Sequence, residues 1–164
     1  MKTHVGSKII NAKPMTRQEY NDFRGLQLRS DENGADEGFL VEYVDGAKAN
    51  TSEYSGYVSW SPKDVFERAY RSVSDGMTFG DALFLLKQGK KVARKGWNGK
   101  GMWLVLVPGT IDINFGDGSA YFKAGLSQGT INPHIDMKTA TGEMQPGWLA
   151  SQADMLAVDW VIVE

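Results

Sequence analysis

Four tryptophans, Trp97, Trp103, Trp148 and Trp160, fall after residue 96 of this 164-residue chain, interleaved with Arg94, Asn98, Lys100, Lys138, Ser151 and Asp154. An indole face stacks on a nucleobase for roughly 1 to 3 kcal/mol, and a nearby Arg or Lys offsets phosphate charge through charge-assisted hydrogen bonds. The combination suits a small nucleotide. It also suits a core or an interface, where tryptophans more often reside, so composition leaves both readings open.

The run Gly96-Trp97-Asn98-Gly99-Lys100-Gly101 gathers an aromatic, an amide and a cation in one tight turn. Its spacing matches neither a Walker loop nor a dinucleotide fingerprint, and on spacing alone Trp97 reads as core and the glycines as hairpin chemistry. Histidine chemistry has little to build on. Only His4 and His134 are present, and His134 reads better as a surface or hydrogen-bonding imidazole than as a catalytic base. The acidic stretches 112–118 and 31–37 do not match a calcium loop; the first misses its glycine position and its closing glutamate, and both read better as solvated loops.

With no cysteine, disulfides, thiol catalysis and thiolate metal sites are all absent. A net charge of -2, with cations scattered among acids, argues against a nucleic acid polymer as partner. The first ten residues hold no long apolar run, so neither a signal peptide nor a membrane span is expected, and a cytoplasmic setting fits.

The elements that must position these side chains divide into two modules. In residues 1–72, Thr16 and Glu19 have capping-box spacing for a helix that buries Tyr20 and Phe23 and stops near Gly25. Stretches 39–44 and 56–60 read as strands, and Ser61-Pro62 as the cap and first position of a helix with Val65, Phe66, Ala69 and Tyr70 on its apolar face. This is a small α+β module. The polar stretch 72–76 is the best boundary. Beyond it Thr78 caps a helix that ends at Gly89, with Phe79, Leu83 and Leu86 at helical spacing. Strands are expected near Val92 and over 102–107, 133–139 and 159–163, with a short capped helix from Ser151. No structure is assigned to 115–122. The fold class is α+β, with a small antiparallel sheet and one or two helices in the second module.

Two ordered motifs carry a resemblance. Met77-Thr78-Phe79-Gly80-Asp81-Ala82-Leu83 followed by Gly89-Lys90-Lys91-Val92-Ala93-Arg94-Lys95-Gly96-Trp97-Asn98-Gly99-Lys100-Gly101-Met102-Trp103, and near the end Trp148-Leu149-Ala150-Ser151-Gln152-Ala153-Asp154-Met155-Leu156-Ala157-Val158-Asp159-Trp160, resemble the Thoeris anti-defence type 2 family of phage proteins. The resemblance spans 77–164. The front module is similar to a segment common in phage proteins, with no biochemical role attached.

The resemblance implies a sponge in the cytoplasm of an infected bacterium. Members of that family bind glycocyclic ADP-ribose made by TIR-domain sensors, some also cyclic dinucleotides, without cleaving it, and a homotetramer holds the ligand between protomers. It implies no cofactor, no metal and no catalysis. Carried onto this chain, Trp97 and Trp103 would stack on or wall the ligand and Asn98 would donate to ribose or base. Arg94 and Lys138 would offset the pyrophosphate, and Trp148 would close the site. Ser151 and Asp154 would contact hydroxyls, although their spacing alone makes a helix cap. Trp160 is expected in the core. An enzyme degrading the signal and a phage structural module are the alternatives.

Overall fold

In a computed structural model of the chain, residues 1–46 and 48–164 are described. Two units are present, Met1–Arg71 and Ser72–Glu164.

In the first unit, β1 (Ile10–Pro14), β2 (Gly38–Tyr43) and β3 (Tyr57–Pro62) form an antiparallel sheet in that order. Helix α1 (Arg17–Arg24) begins at the Thr16–Glu19 capping box and ends at Gly25, whose φ of 64° only glycine adopts cheaply. Tyr20 packs on Leu40 and Val58, and Trp60 donates its indole N–H to the Met15 carbonyl at 2.8 Å. Helix α2 (Lys63–Ala69) departs from the expected pattern. Pro62 occupies the cap position without a side-chain bond, because Ser61 still belongs to β3; no residue of α2 is buried and Val65 is exposed. Its anchor is Phe66, stacked on Phe39 at 4.0 Å. Buried Glu42 accepts from Asn11 and the Gly56 amide, which hold its carboxyl below the usual carboxylate range and tie β1 to the turn before β3.

The second unit is built on a five-stranded antiparallel sheet. Its strands are β4 (Lys91–Arg94), β5 (Trp103–Val107), β8 (His134–Lys138), β9 (Met144–Gln145) and β10 (Trp160–Val163), in the order β10-β4-β5-β8-β9. Helix α3 (Phe79–Lys87) starts at a Thr78–Asp81 capping box and covers one face. Its buried stripe is Ala82, Leu85 and Leu86, so Leu83, expected inside, is only half-buried. These residues join Met77, Val92, Leu104 and Trp160 in the core, with Leu106, Ile135, Met137 and Ile162 packed against them. Because side chains alternate along a strand, Trp103, Val105 and Val107 of β5 and Val161 and Val163 of β10 fall on the opposite face, where all five are half-exposed.

Two further features matter. Beyond β10, Met77 exchanges backbone hydrogen bonds with Trp160, and the Val73 carbonyl accepts from the Ile162 amide. Between β5 and β8 the chain makes an arm: β6 (Thr110–Asn114), the single turn α4 (Ala120–Lys123) and β7 (Gln128–Ile131), with β6 and β7 paired to each other. Pro108 and Pro133 flank its base, and a Cβ on Gly109 would lie 2.5 Å from the Ile131 carbonyl oxygen. A bulge in β6 puts Asp112 at φ 53°.

Candidate functional site

Antiparallel pairing sets Arg94 opposite Trp160, and Asp159 precedes that tryptophan. The Arg94 guanidinium donates from Nε to Asp159 at 2.8 Å and from Nη1 to Asp154 at 2.9 Å. Asp159 also accepts from the Gly96 amide at 2.7 Å. Asp154 accepts from the Trp97 indole at 3.2 Å and from the Ser151 amide and hydroxyl, the capping box of α5 (Gln152–Met155). Trp160 donates to the Asp154 carbonyl at 3.0 Å. One arginine and two carboxylates thus clasp the end of β4, the 96–101 turn and α5 together.

The electrostatics follow from the contacts. Burial pushes the Asp154 carboxyl up, but the hydrogen bonds from Ser151, Arg94 and Trp97 together outweigh it and hold it at about 2. Asp159 is lowered chiefly by Arg94, and both carboxylates raise the guanidinium in return. Beside the clasp the rings of Trp97, Trp148 and Trp160 meet edge to face, with centroids 5.5 to 6.3 Å apart. Trp160 is fully buried, as expected, while Trp97 and Trp148 are half-buried.

Trp103 and Lys138 are elsewhere. They face each other across β5 and β8 on the open side of the sheet. Lys91 of β4 reaches over the Trp103 ring, its Nζ 5.6 Å from the centroid, and Lys138 is the cross-strand neighbour of Trp103 in β8. The 96–101 turn adjoins this row: Lys138 donates to the Gly101 carbonyl at 3.3 Å, and a Cβ at Gly99 would overlap the Met102 sulfur and the Ala140 methyl. Asn98 is exposed on that turn.

The candidate residues therefore fall into two groups. Arg94, Trp97, Trp148, Ser151 and Asp154 come together around the clasp; Trp103 and Lys138 stand on the open face; Asn98 lies on the turn that touches both. Sequence reasoning passed over Asp159 and Lys91 as functional candidates. Lys91 is legible once β4 and β5 are aligned, since only the register brings it to Trp103.

His134 contacts the Asn132 carbonyl at 2.9 Å and lies 3.5 Å from Asp136. No cluster of potential metal ligands occurs among the described residues. A cavity of about 430 Å³ in the first unit is lined by Asp36, Glu37, Asp64 and Glu67 around Trp60 and Lys63. Its carboxylates would repel a phosphate-bearing ligand. No helix among the described residues is long and apolar enough to cross a membrane.

The profile of the Thoeris anti-defense 2-like domain matches residues 77–163. The chain belongs to that anti-defence family. The protein Thoeris anti-defense 2 of Bacillus phage SP01 is 42% identical over 88 residues, which are 53% of this chain and 94% of that relative. The match takes in the clasp, the Lys91–Trp103–Lys138 row, the arm and the α3 cap, and leaves residues 1–76 outside the family domain.

Proposed function

We propose that this protein is a phage anti-defence sponge that binds and holds a cyclic nucleotide immune signal, glycocyclic ADP-ribose, leaving its bonds intact, with cyclic dinucleotides as further ligands. The observation that carries the reading is the Lys91–Trp103–Lys138 row beside the 96–101 turn. A base stacks on the half-exposed Trp103 indole for roughly 1 to 3 kcal/mol, and two ammonium groups beside it offset the pyrophosphate. Asn98 donates to ribose or base from the turn.

Trp97, within the turn, packs edge to face on Trp148 and anchors the turn to the core. Arg94, Ser151 and Asp154, whose polar groups already satisfy one another, act on the ligand by holding that turn in place. Outcompeting a receptor calls for nanomolar affinity, about -12 kcal/mol, which demands a rigid, enclosed pocket. A homotetramer with the ligand between protomers would supply one. The family's anti-defence role supports this reading. The first unit is an accessory module in it, with no role assigned.

The test is to incubate protein with glycocyclic ADP-ribose, assay free signal in the filtrate, then denature the protein by heat and assay again. Depletion followed by recovery of intact signal is expected. Permanent loss would mean cleavage, and an undepleted filtrate would mean no capture; either result rejects the sponge.

A further inference from the structure

We propose that Asn98 is a site of covalent modification: its side-chain amide closes on the Gly99 nitrogen and then hydrolyses, leaving an acid on the 96–101 turn. That this change ends capture of the ligand rests on the sequestration reading above.

The chain holds two Asn-Gly steps, Asn33-Gly34 and Asn98-Gly99. At such a step no Cβ on the second residue shields its backbone nitrogen from the asparagine Cγ. That nitrogen gives its proton to hydroxide and attacks Cγ. The bond from Cγ to Nδ2 breaks, and ammonia leaves with a proton taken from water, so a five-membered succinimide closes. Water then opens one of the two ring carbonyls, giving aspartate or its isomer linked through Cγ. One water enters, one ammonia departs, and a carboxylate replaces a neutral amide.

Local structure sets the two steps apart. Asn98 is exposed, and neither its carboxamide nor the Gly99 amide has a hydrogen-bond partner among the described residues. The backbone is pinned on either side, where the Trp97 amide donates to the Arg94 carbonyl at 3.4 Å and the Gly101 carbonyl accepts from Lys138 at 3.3 Å. Residues 98–100 make no backbone hydrogen bond between those pins. Packing also imposes the susceptible pair, because a Cβ at Gly99 would lie 2.4 Å from the Met102 sulfur and 2.6 Å from the Ala140 methyl. No side chain fits there to hinder the attack. Lys100 and Lys138 stand near the turn, and their charge favours the amide anion that starts the reaction.

Asn33 is restrained on every count. Its Nδ2 donates to the Asp36 carboxylate at 3.0 Å, its Oδ1 accepts from the Ala35 amide at 3.1 Å, and its backbone carbonyl accepts from the Asp36 amide at 3.1 Å. The Gly34 carbonyl is tied to the Gln18 amide at 3.0 Å. The Asp36 carboxylate held against this step opposes an amide anion.

The experiment keeps the full chain warm in mildly alkaline buffer and follows both sites by peptide mass spectrometry. A synthetic peptide, Gly-Trp-Asn-Gly-Lys-Gly, carries the turn's sequence without its fold and sets the unrestrained rate. Asn98 should convert on the peptide's timescale, and Asn33 roughly tenfold or more slower, since two side-chain hydrogen bonds must first be released. Asn33 converting as fast as Asn98, or an intact Asn98 after the peptide has converted, overturns the proposal. Uptake of glycocyclic ADP-ribose, read by calorimetry, should fall in proportion to the converted fraction. Fresh Asn98→Asp should weaken uptake by about tenfold or more, because a donor is lost and a carboxylate faces phosphate. Full uptake by that variant overturns the consequence for capture. If the unaltered chain takes up no probe, the sequestration reading fails on its own, and the two conversion rates still decide the modification.

Discussion

Trp103 and Trp97 are both tryptophans of the matched domain, and their surroundings give them opposite consequences when removed. Trp103 is half-exposed, with a lysine over its ring but outside the core cluster. Trp103→Ala should change stability by no more than about 1 kcal/mol while weakening capture roughly 10- to 100-fold, read by calorimetry, because a stacked base loses its platform. Trp97 packs on Trp160 and donates to Asp154. Trp97→Ala should cost about 2 to 4 kcal/mol in a denaturant titration, and its loss of capture would then be inseparable from loosening of the turn. Residue types and spacing single out both indoles together with Arg94 and Lys138 as candidates, but do not sort them between faces. Which face of the sheet a side chain joins depends on strand register, and Lys91 could be connected to Trp103 only when β4 was placed beside β5.

At the scale of the element, helix α5 is only four residues long and buries none of them. It is held by Ser151 and by Asp154, whose carboxylate bridges to Arg94 and Trp97. The folded Asp154 carboxyl, at about 2 against an ordinary 3.8, makes the clasp acid-sensitive. Because the folded value is depressed, the contribution is complete above about pH 4 and disappears as pH falls toward 2, amounting to about 2 kcal/mol. Asp154→Asn should flatten that part of the stability profile in urea melts at stepped pH; an unchanged slope would remove Asp154 from the linkage. Capping boxes were readable in advance at Thr16, Thr78 and Ser151, because each needs only a hydroxyl residue and an acid three positions on. Ser61 misled, since β3 runs through it to Pro62. The arm gave no periodic signal: its strands are short, one carries a bulge, and its apolar residues face outward.

For the molecule as a whole, the family domain and the second unit nearly coincide, while the first unit has its own core around Tyr20, Leu40 and Val58. Ligand linkage should therefore be local. At a ligand concentration 100 times Kd, stabilisation is about 2.7 kcal/mol. Hydrogen exchange with glycocyclic ADP-ribose present should slow in β4, β5, β8 and the 96–101 turn and stay unchanged in β1 to β3. Equal slowing in β1 to β3 would place the ligand elsewhere. Two α+β modules could be told apart in the sequence because each has its own cap signals and strand runs. The five-strand order was not legible, since nothing local states that β10 pairs with β4.

The backbone bonds that Val73 and Met77 make along β10 bear on how the chain can be trimmed. A fragment cut to begin at Met77 would bare the Ile162 amide, an unquenched ladder donor that invites stray strands and clumping. A cut at Ser72 leaves that seal in place, so a fragment starting there should stay in solution at concentrations where the shorter one precipitates.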